Sequence, residues 1–328
     1  MAHNSLIDVP GVAVGNAHDL SLGSGVTAVV FDRPAVASVS VLGGAPGGRD
    51  TDMLASHNTV EAVDAIVLSG GSAFGLDAAG GVQAWLRAQG RGLVVGGVRV
   101  PLVAQAIVFD LANGGDKNWG RFSPYRDMGH AAAEAALSEP FALGTVGAGC
   151  GATTATVKGG LGSASAMTRA GHWVAAIVAV NALGTPIIGD GPWFWAAPYE
   201  VGGEFGGRGW PTEFDTAPRL KGSPGTSTTI GLVVTDATLS KPQATRLAIM
   251  AHDGLSRAIL PAHAPQDGDT MFAASTGTRA MNDPLRELAE LGHVATLVMA
   301  RAIARGVYEA TSLHGTGAQR SWRERFAA

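Results

Sequence analysis

Cysteine is almost missing from this chain: Cys150 is the only one in 328 residues. An intramolecular disulfide is therefore excluded, and a reducing compartment is the expected home. Charge is also scarce, at 15% of residues, with 27 acidic against 23 basic side chains and a formal net charge of −4. Only four of the basic residues are lysine and no basic run occurs, so the electrostatic footprint of a nucleic-acid binder is absent. Long hydrophobic runs are lacking too. The most apolar stretch, 174–180, is soon interrupted by Asn181 and Gly184, so no membrane span is expected. The segment 1–8 has neither a basic n-region nor an apolar h-region, so no signal peptide is expected. A soluble cytoplasmic protein is the expectation.

What the chain does have is apolar bulk and glycine. Apolar residues make up 46%, enough for a sizeable core and too many for a disordered chain. Glycine is abundant, at 47 residues, and its clusters, such as Gly43-Gly44, Gly70-Gly71 and Gly159-Gly160, fall between apolar segments, where tight turns and close backbone approaches belong.

Short β-rich runs bounded by Gly, Pro or Asp predict strands over 12–15, 26–31, 37–42 and 65–68. An apolar-periodic stretch predicts a helix over 73–87, stopped by Gly90 and Gly92, and alanine-rich 128–137 predicts a second. Strands are expected again at 153–157 and 174–180. Residues 200–227 are rich in Gly and Pro without periodicity and read as one long loop, a feature often tied to function or processing. It runs straight into Thr228.

Beyond the loop the pattern is strict. Residues 230–235 form a strand. Ser240 and Gln243 make a capping box for a helix whose apolar residues recur at spacings of three and four until Pro261. A strand at 270–275 follows, and Asn282-Asp283-Pro284 opens a last helix that runs to about Glu309. No repeat of fixed period is present. Alternating strands and long helices predict a layered α/β fold.

Thr228 is a candidate nucleophile on chemical grounds. A threonine hydroxyl needs a base, and when threonine is the first residue of a chain its own α-amine supplies one. A threonine at a strand start, directly after a Gly/Pro loop, is where backbone cleavage would expose such a residue. The alternative is an ordinary β-branched strand start. Lys158 stands among β-branched residues and glycines; buried beside a reacting centre it would stabilise negative charge, whereas a strand-end lysine facing solvent would do nothing. Asn181, at a strand end, is either an oxyanion donor or a turn residue. Asp267 and Asp269 flank Gly268 closely enough to titrate together, and the remaining ligands of a calcium loop are missing.

Ser69-Gly70-Gly71-Ser72 lacks the Gly-Lys-Ser/Thr continuation of a phosphate loop, leaving backbone packing or an oxyanion contact. His252 reads as structural, because no Gly-x-Ser-x-Gly nucleophile elbow accompanies it. Cys150, between Gly149 and Gly151, reads as a small buried residue.

Several of these stretches match one family in order. Thr226-Ser227-Thr228-Thr229-Ile230-Gly231-Leu232-Val233-Val234-Thr235-Asp236-Ala237 resembles the cleavage motif of the DmpA-type self-processing aminopeptidases. These N-terminal-nucleophile hydrolases include β-peptidyl aminopeptidases and nylon-oligomer hydrolases. Residues 246–259, Pro261-Ala262-His263, Asp267-Gly268-Asp269-Thr270-Met271-Phe272, 68–79, 100–103 and 106–111 continue the resemblance over nearly the whole chain.

The resemblance implies an α/β/β/α sandwich of the DmpA/ornithine acetyltransferase kind in one catalytic domain, 1–328. It implies self-cleavage between Ser227 and Thr228, leaving an α chain (1–227) and a β chain (228–328). Thr228 would be the nucleophile, Lys158 and Asn181 catalytic partners, and Asp267 and Asp269 the acids that orient the nucleophile's amine or receive a substrate's ammonium. The family commonly has asparagine before the nucleophile, where this chain has Ser227; the attacked carbonyl belongs to the backbone and does not depend on that side chain. The implied substrates are small peptides, amino-acid amides or 6-aminohexanoate oligomers. No cofactor, metal, nucleic acid or membrane is expected, and the implied assembly is a tetramer of αβ units. Acyl transfer, as in ornithine acetyltransferases, and an uncut non-catalytic binding protein are the rival readings.

Overall fold

The computed structural model describes residues 2–222, 227–315 and 318–326. Its strands are β1 (Val12–Asp19), β2 (Ser24–Val41), β3 (Gly48–Arg49), β4 (Ala62–Ser69), β5 (Leu93–Val95), β6 (Val98–Val100), β7 (Val103–Ile107), β8 (Gly160–Met167), β9 (Trp173–Asn181), β10 (Thr228–Ala237) and β11 (Thr270–Arg279). Its helices are α1 (Ala78–Ala88), α2 (Tyr125–Glu134), α3 (Lys241–Ala258), α4 (Pro284–Tyr308) and α5 (Trp322–Phe326).

Nine strands form one sheet in the order β3-β7-β4-β2-β11-β10-β9-β8, with β1 also paired to β2. The strand that joins its halves is β2. Its first part pairs with β1 and β4, its last part with β11, and the register slips between Val30 and Ala35. Asp32, Arg33 and Pro34 are exposed at that slip, where proline's missing donor is tolerated. The runs at 26–31 and 37–42 are therefore one bent strand rather than two.

Alternation along the strands then defines four layers. Ile230, Leu232 and Val234 of β10 join Ile66 and Leu68 of β4 in a central core between the two halves of the sheet. The opposite faces of β8, β9 and β10 pack on α3 and α4, and those of β2 and β4 on α1 and α2. This is the expected α/β/β/α sandwich.

The C-terminal half follows the sequence pattern closely. At the start of α3, Gln243 Oε1 accepts from Ser240 N at 2.8 Å, and at the start of α4, Asp283 accepts from Arg286 N at 3.2 Å. Three expectations need correction. Residues 153–157 form a tight turn rather than a strand: Thr153 bridges Lys158, and Thr154 takes both its N–H and its hydroxyl to Val157 O. The helix expected over 73–87 starts as a 3-10 helix, Ser72–Asp77, and becomes α-helical only from Ala78. The second helix lies three residues earlier than expected, entered from Pro124.

Strand β8 carried no signal because its residues are small for packing reasons. A methyl on Gly162 would meet Ala302 O of α4 at 1.8 Å, so only glycine lets the helix come that close. The expected loop agrees with what is described: no helix or strand lies between the 3-10 turn Ala197–Tyr199 and the end of the described stretch at Gly222. No helix among the described residues is long and apolar enough to cross a membrane.

Candidate active site

Strand ends bring the chemistry together at one edge of the central layer. Strand β10 begins at Thr228, directly opposite Asn181, the last residue of antiparallel β9. Opposed residues in such a pair project to the same face, with Cβ atoms about 4.5–5.5 Å apart. That face is the central one, because Ile230 and Leu232 on β10 and Ile177 and Ala179 on β9 enter the same core. Thr228 is 4% exposed and Asn181 fully buried.

Strand β11 runs parallel to β10, so the Asp267-Gly268-Asp269 segment that precedes it lies beside Ser227 and Thr228. Ser227 bridges Asp267, and Gly268 N donates to Ser227 O at 3.2 Å. The Thr228 hydroxyl donates to the same Ser227 O. The carbonyl before Thr228 thus has a hydroxyl in contact and a peptide N–H on its oxygen, the two elements that attack at a backbone carbonyl would need. Gly268 leaves no room for more: a Cβ there would lie 2.6 Å from Thr228 Oγ1 and 2.7 Å from Ala45 O.

The Asn181 amide is held in one orientation. Its Oδ1 accepts from Thr153 N at 2.9 Å and from Lys221 Nζ at 3.2 Å, and its Nδ2 donates to Phe109 O at 3.0 Å. The turn that replaces the expected strand at 153–157 therefore supports the site, and it ends at Lys158.

Lys158 is 1% exposed, which overturns the solvent-facing alternative. Its Nζ donates to Gly149 O and Gly159 O, both at 3.1 Å. Burial pushes its pKa down to about 8, against the pull of Cys150 and Asp110. Among the described residues its hydrogen bonds go to these carbonyls and not to Thr228.

The two aspartates, both 1% exposed, face different ways. Asp267 accepts from Leu183 N at 3.3 Å and Gly268 N at 3.1 Å. Burial, then the charge of Asp269, pushes its pKa up to about 7, while Lys221 pulls it down. Asp269 accepts from Thr229 N at 3.0 Å with one oxygen and meets His263 N and Nδ1, at 2.9 and 2.8 Å, with the other. Asp269 fixes the peptide N–H of Thr229, next to Thr228, and Asp267 is the acid on the Lys221 side.

Three neighbours escaped the sequence reading as site residues. Lys221 is a lone lysine in an unpatterned loop, where nothing signals a contact with Asn181. Gly268 was read only as the spacer of an Asp-Gly-Asp turn. His263 was visible only as part of a motif; burial works against its cation, but the Asp269 hydrogen bond and charge outweigh it and raise its pKa.

Other readings resolve simply. His252 bonds Ser40 O at 2.9 Å, stacks edge-on against His263, and is pushed down to about 4 by burial, as suits a structural residue. The Ser69–Ser72 turn serves backbone packing: Asp110 accepts from Gly71 N at 2.7 Å and from Ser24 Oγ at 2.6 Å. Burial pushes the Cys150 thiol up to about 11, which leaves it a packing residue rather than a thiolate nucleophile.

Comparison with known proteins shows the family. An uncharacterized aminopeptidase of Mycobacterium tuberculosis is 40% identical over 336 residues, covering 95% of this chain and 96% of the relative. A 6-aminohexanoate-oligomer endohydrolase of Kocuria sp. is 30% identical over 283 residues, covering 82% of this chain and 74% of the relative. Among solved structures, a Burkholderia sp. beta-aminopeptidase superposes with a TM-score of 0.72 at 22% identity, over 99% of this chain and 92% of the other. The L-aminopeptidase D-Ala-esterase/amidase of Ochrobactrum anthropi, described as a variant of the Ntn hydrolase fold, gives 0.72 at 20% identity, over 97% and 90%. The family model for peptidase family S58 matches residues 4–321, and the chain belongs to that family.

Proposed function

We propose that this amide hydrolase is a self-processing N-terminal-threonine enzyme acting on small peptides and amino-acid amides. The observation that carries the reading is the shared oxygen of Ser227, which accepts both the Thr228 hydroxyl and Gly268 N. In the first step Thr228 Oγ1 attacks the Ser227 carbonyl carbon. The Ser227–Thr228 peptide bond breaks, the nitrogen takes a proton, and an ester joins Ser227 to the Thr228 side chain. Water hydrolyses that ester, leaving a carboxylate on Ser227 and a free α-amine on Thr228.

The freed amine is then the base that the hydroxyl lacked. Thr228 attacks a substrate amide, the Asn181 amide and the Gly268 N–H stabilise the oxyanion, the substrate's amine departs with a proton, and water releases the acyl group. Lys158 supplies positive charge from behind the site. Asp267 receives the nucleophile's amine or a substrate ammonium, and Asp269 holds the Thr229 peptide in place. On this reading the α chain (1–227) and β chain (228–328) stay together as one catalytic domain, because β9 and β10 remain neighbours in the sheet.

The likeness to 6-aminohexanoate-oligomer endohydrolases supports a second substrate class, linear amide oligomers. The apolar hairpin β5–β6, with Leu93, Val94, Val95, Val98 and Val100 all exposed, supports self-association, read here as a tetramer of αβ units. A cytoplasmic location completes the reading.

The test is a panel of amino-acid amides, β-dipeptides and 6-aminohexanoate oligomers, with products identified by mass spectrometry, for wild type and Thr228→Ala. Wild type hydrolyses at least one class and the variant none. A variant equal to wild type on every substrate would remove Thr228 from the mechanism.

A further inference from the structure

Lys221 is the one ammonium that touches the Asn181 side chain among the described residues. Its Nζ lies 3.2 Å from Asn181 Oδ1 and 3.4 Å from Asn181 O, and its main-chain N donates to Leu183 O at 2.9 Å. The same Leu183 gives its own N–H to Asp267. The main-chain bond anchors Lys221 upstream of the scissile bond, on the same side of the cut as Asn181, so the contact does not depend on an uncut chain. The half-buried ammonium is thus aimed at the oxygen end of the amide.

We propose that Lys221 is a positioning residue of the site: it clamps the Asn181 carbonyl oxygen, so that the amide's NH2 end serves the carbonyl attacked by Thr228. This rests on the assignment of Thr228 and Asn181 above. A primary amide can present either end to an oxyanion, and only the NH2 end stabilises it. Thr153 N holds Oδ1 from one side and Lys221 from another, and both bonds are lost if the amide flips.

The charged groups that face Lys221 are Asp267 from the segment before β11, Asp110 from beyond β7 and Lys158 from before β8. Burial and the Lys158 charge push its pKa down to about 7, while Asp267 and Asp110 pull it up. The clamp is strongest when Lys221 is protonated and weakens as pH rises through neutrality.

The experiment compares Lys221→Met, Lys221→Arg and Asn181→Ala. Self-cleavage is followed by intact mass, and kcat and KM of the cut enzyme are measured across the neutral and mildly alkaline range. In Lys221→Met, cleavage and kcat fall about tenfold to a hundredfold while KM changes little, as displacement of a catalytic group by a fraction of an ångström requires. Lys221→Arg restores most of the rate and carries the alkaline limb to higher pH, since guanidinium keeps its charge. Lys221→Met with wild-type cleavage, kcat and pH profile, beside an impaired Asn181→Ala, overturns the clamp alone. Asn181→Ala with wild-type rates overturns the site assignment and the clamp together. Should Lys221→Met fail to fold, Lys221→Arg decides: a pH profile identical to wild type overturns the proposal.

Discussion

Gly268→Ala adds one methyl group at a crowded point of the site. The new Cβ would sit 2.6 Å from Thr228 Oγ1, 2.9 Å from Thr228 Cγ2 and 2.7 Å from Ala45 O. Carbon does not approach heavy atoms that closely, and one obstacle is main chain, so the segment and the threonine must both move. Overpacking of this kind costs about 1–3 kcal/mol of stability. The kinetic cost is larger, because a shift of about 1 Å at the reacting group lowers rate on the order of a hundredfold. The expected result is a folded protein with a modestly lower Tm, in which both self-cleavage and amide turnover slow by about two orders of magnitude. Gly80→Ala is the control: its Cβ meets nothing nearer than Arg49 Nη1 at 3.5 Å, and a helix-interior glycine replaced by alanine gains about 0.5–1 kcal/mol. Denaturant unfolding and an intact-mass time course read both effects. Gly268→Ala that cuts and turns over at wild-type rates would refute the close contact and the role built on it.

Other perturbations probe separate parts of the site. Asn181→Asp replaces a donor by an acceptor beside the oxyanion, and kcat should fall by about 10²–10³, as loss of one such donor does elsewhere; an unchanged kcat would exclude the amide from the reaction. Asp267 has a folded pKa raised from 3.8 to about 7, so the folded state holds the extra proton between those values. Stability therefore falls as pH rises through that window, and Asp267→Asn removes the slope; urea unfolding at several pH values shows whether it does. Lys158 has the opposite sign, since its pKa drops from 10.5 to about 8 and the unfolded chain holds the extra proton there. Wild-type stability should rise over that alkaline window by at most on the order of 3 kcal/mol, a rise that Lys158→Met lacks.

Sequence was most informative where one physical demand acted alone. From 230 to 309 the strands β10 and β11 are apolar runs buried on both faces and the helices keep their 3.6-residue period, so both read cleanly, and the capping residues at Ser240 and Asp283 mark where α3 and α4 begin. It misled where two demands met. Strand β2 crosses both halves of the sheet, and its exposed Asp32-Arg33-Pro34 slip looks like a turn between two strands. Residues 153–157 are β-branched but reverse direction within a few residues to lead into Lys158. The site shows the same division. Thr228, Asn181, Asp267 and Asp269 stand at strand ends inside ordered motifs, and the structure gathers them. The opposite facings of the two aspartates depend on Leu183, 84 residues from Asp267, and on a turn that brings His263 back onto Asp269, and neither contact is written in the Asp-Gly-Asp spacing. Lys221 had no legible signal, because the contacts of a single lysine in a loop come only from what folds against it.

The central claim is that Thr228 becomes the first residue of its own chain. Intact mass under denaturing conditions, on purified protein of demonstrated amidase activity, tests it most directly. Two species are expected, with masses that correspond to residues 1–227 and 228–328, and one uncut species for Thr228→Ala. A single full-length chain that hydrolyses amides at the full rate would contradict it.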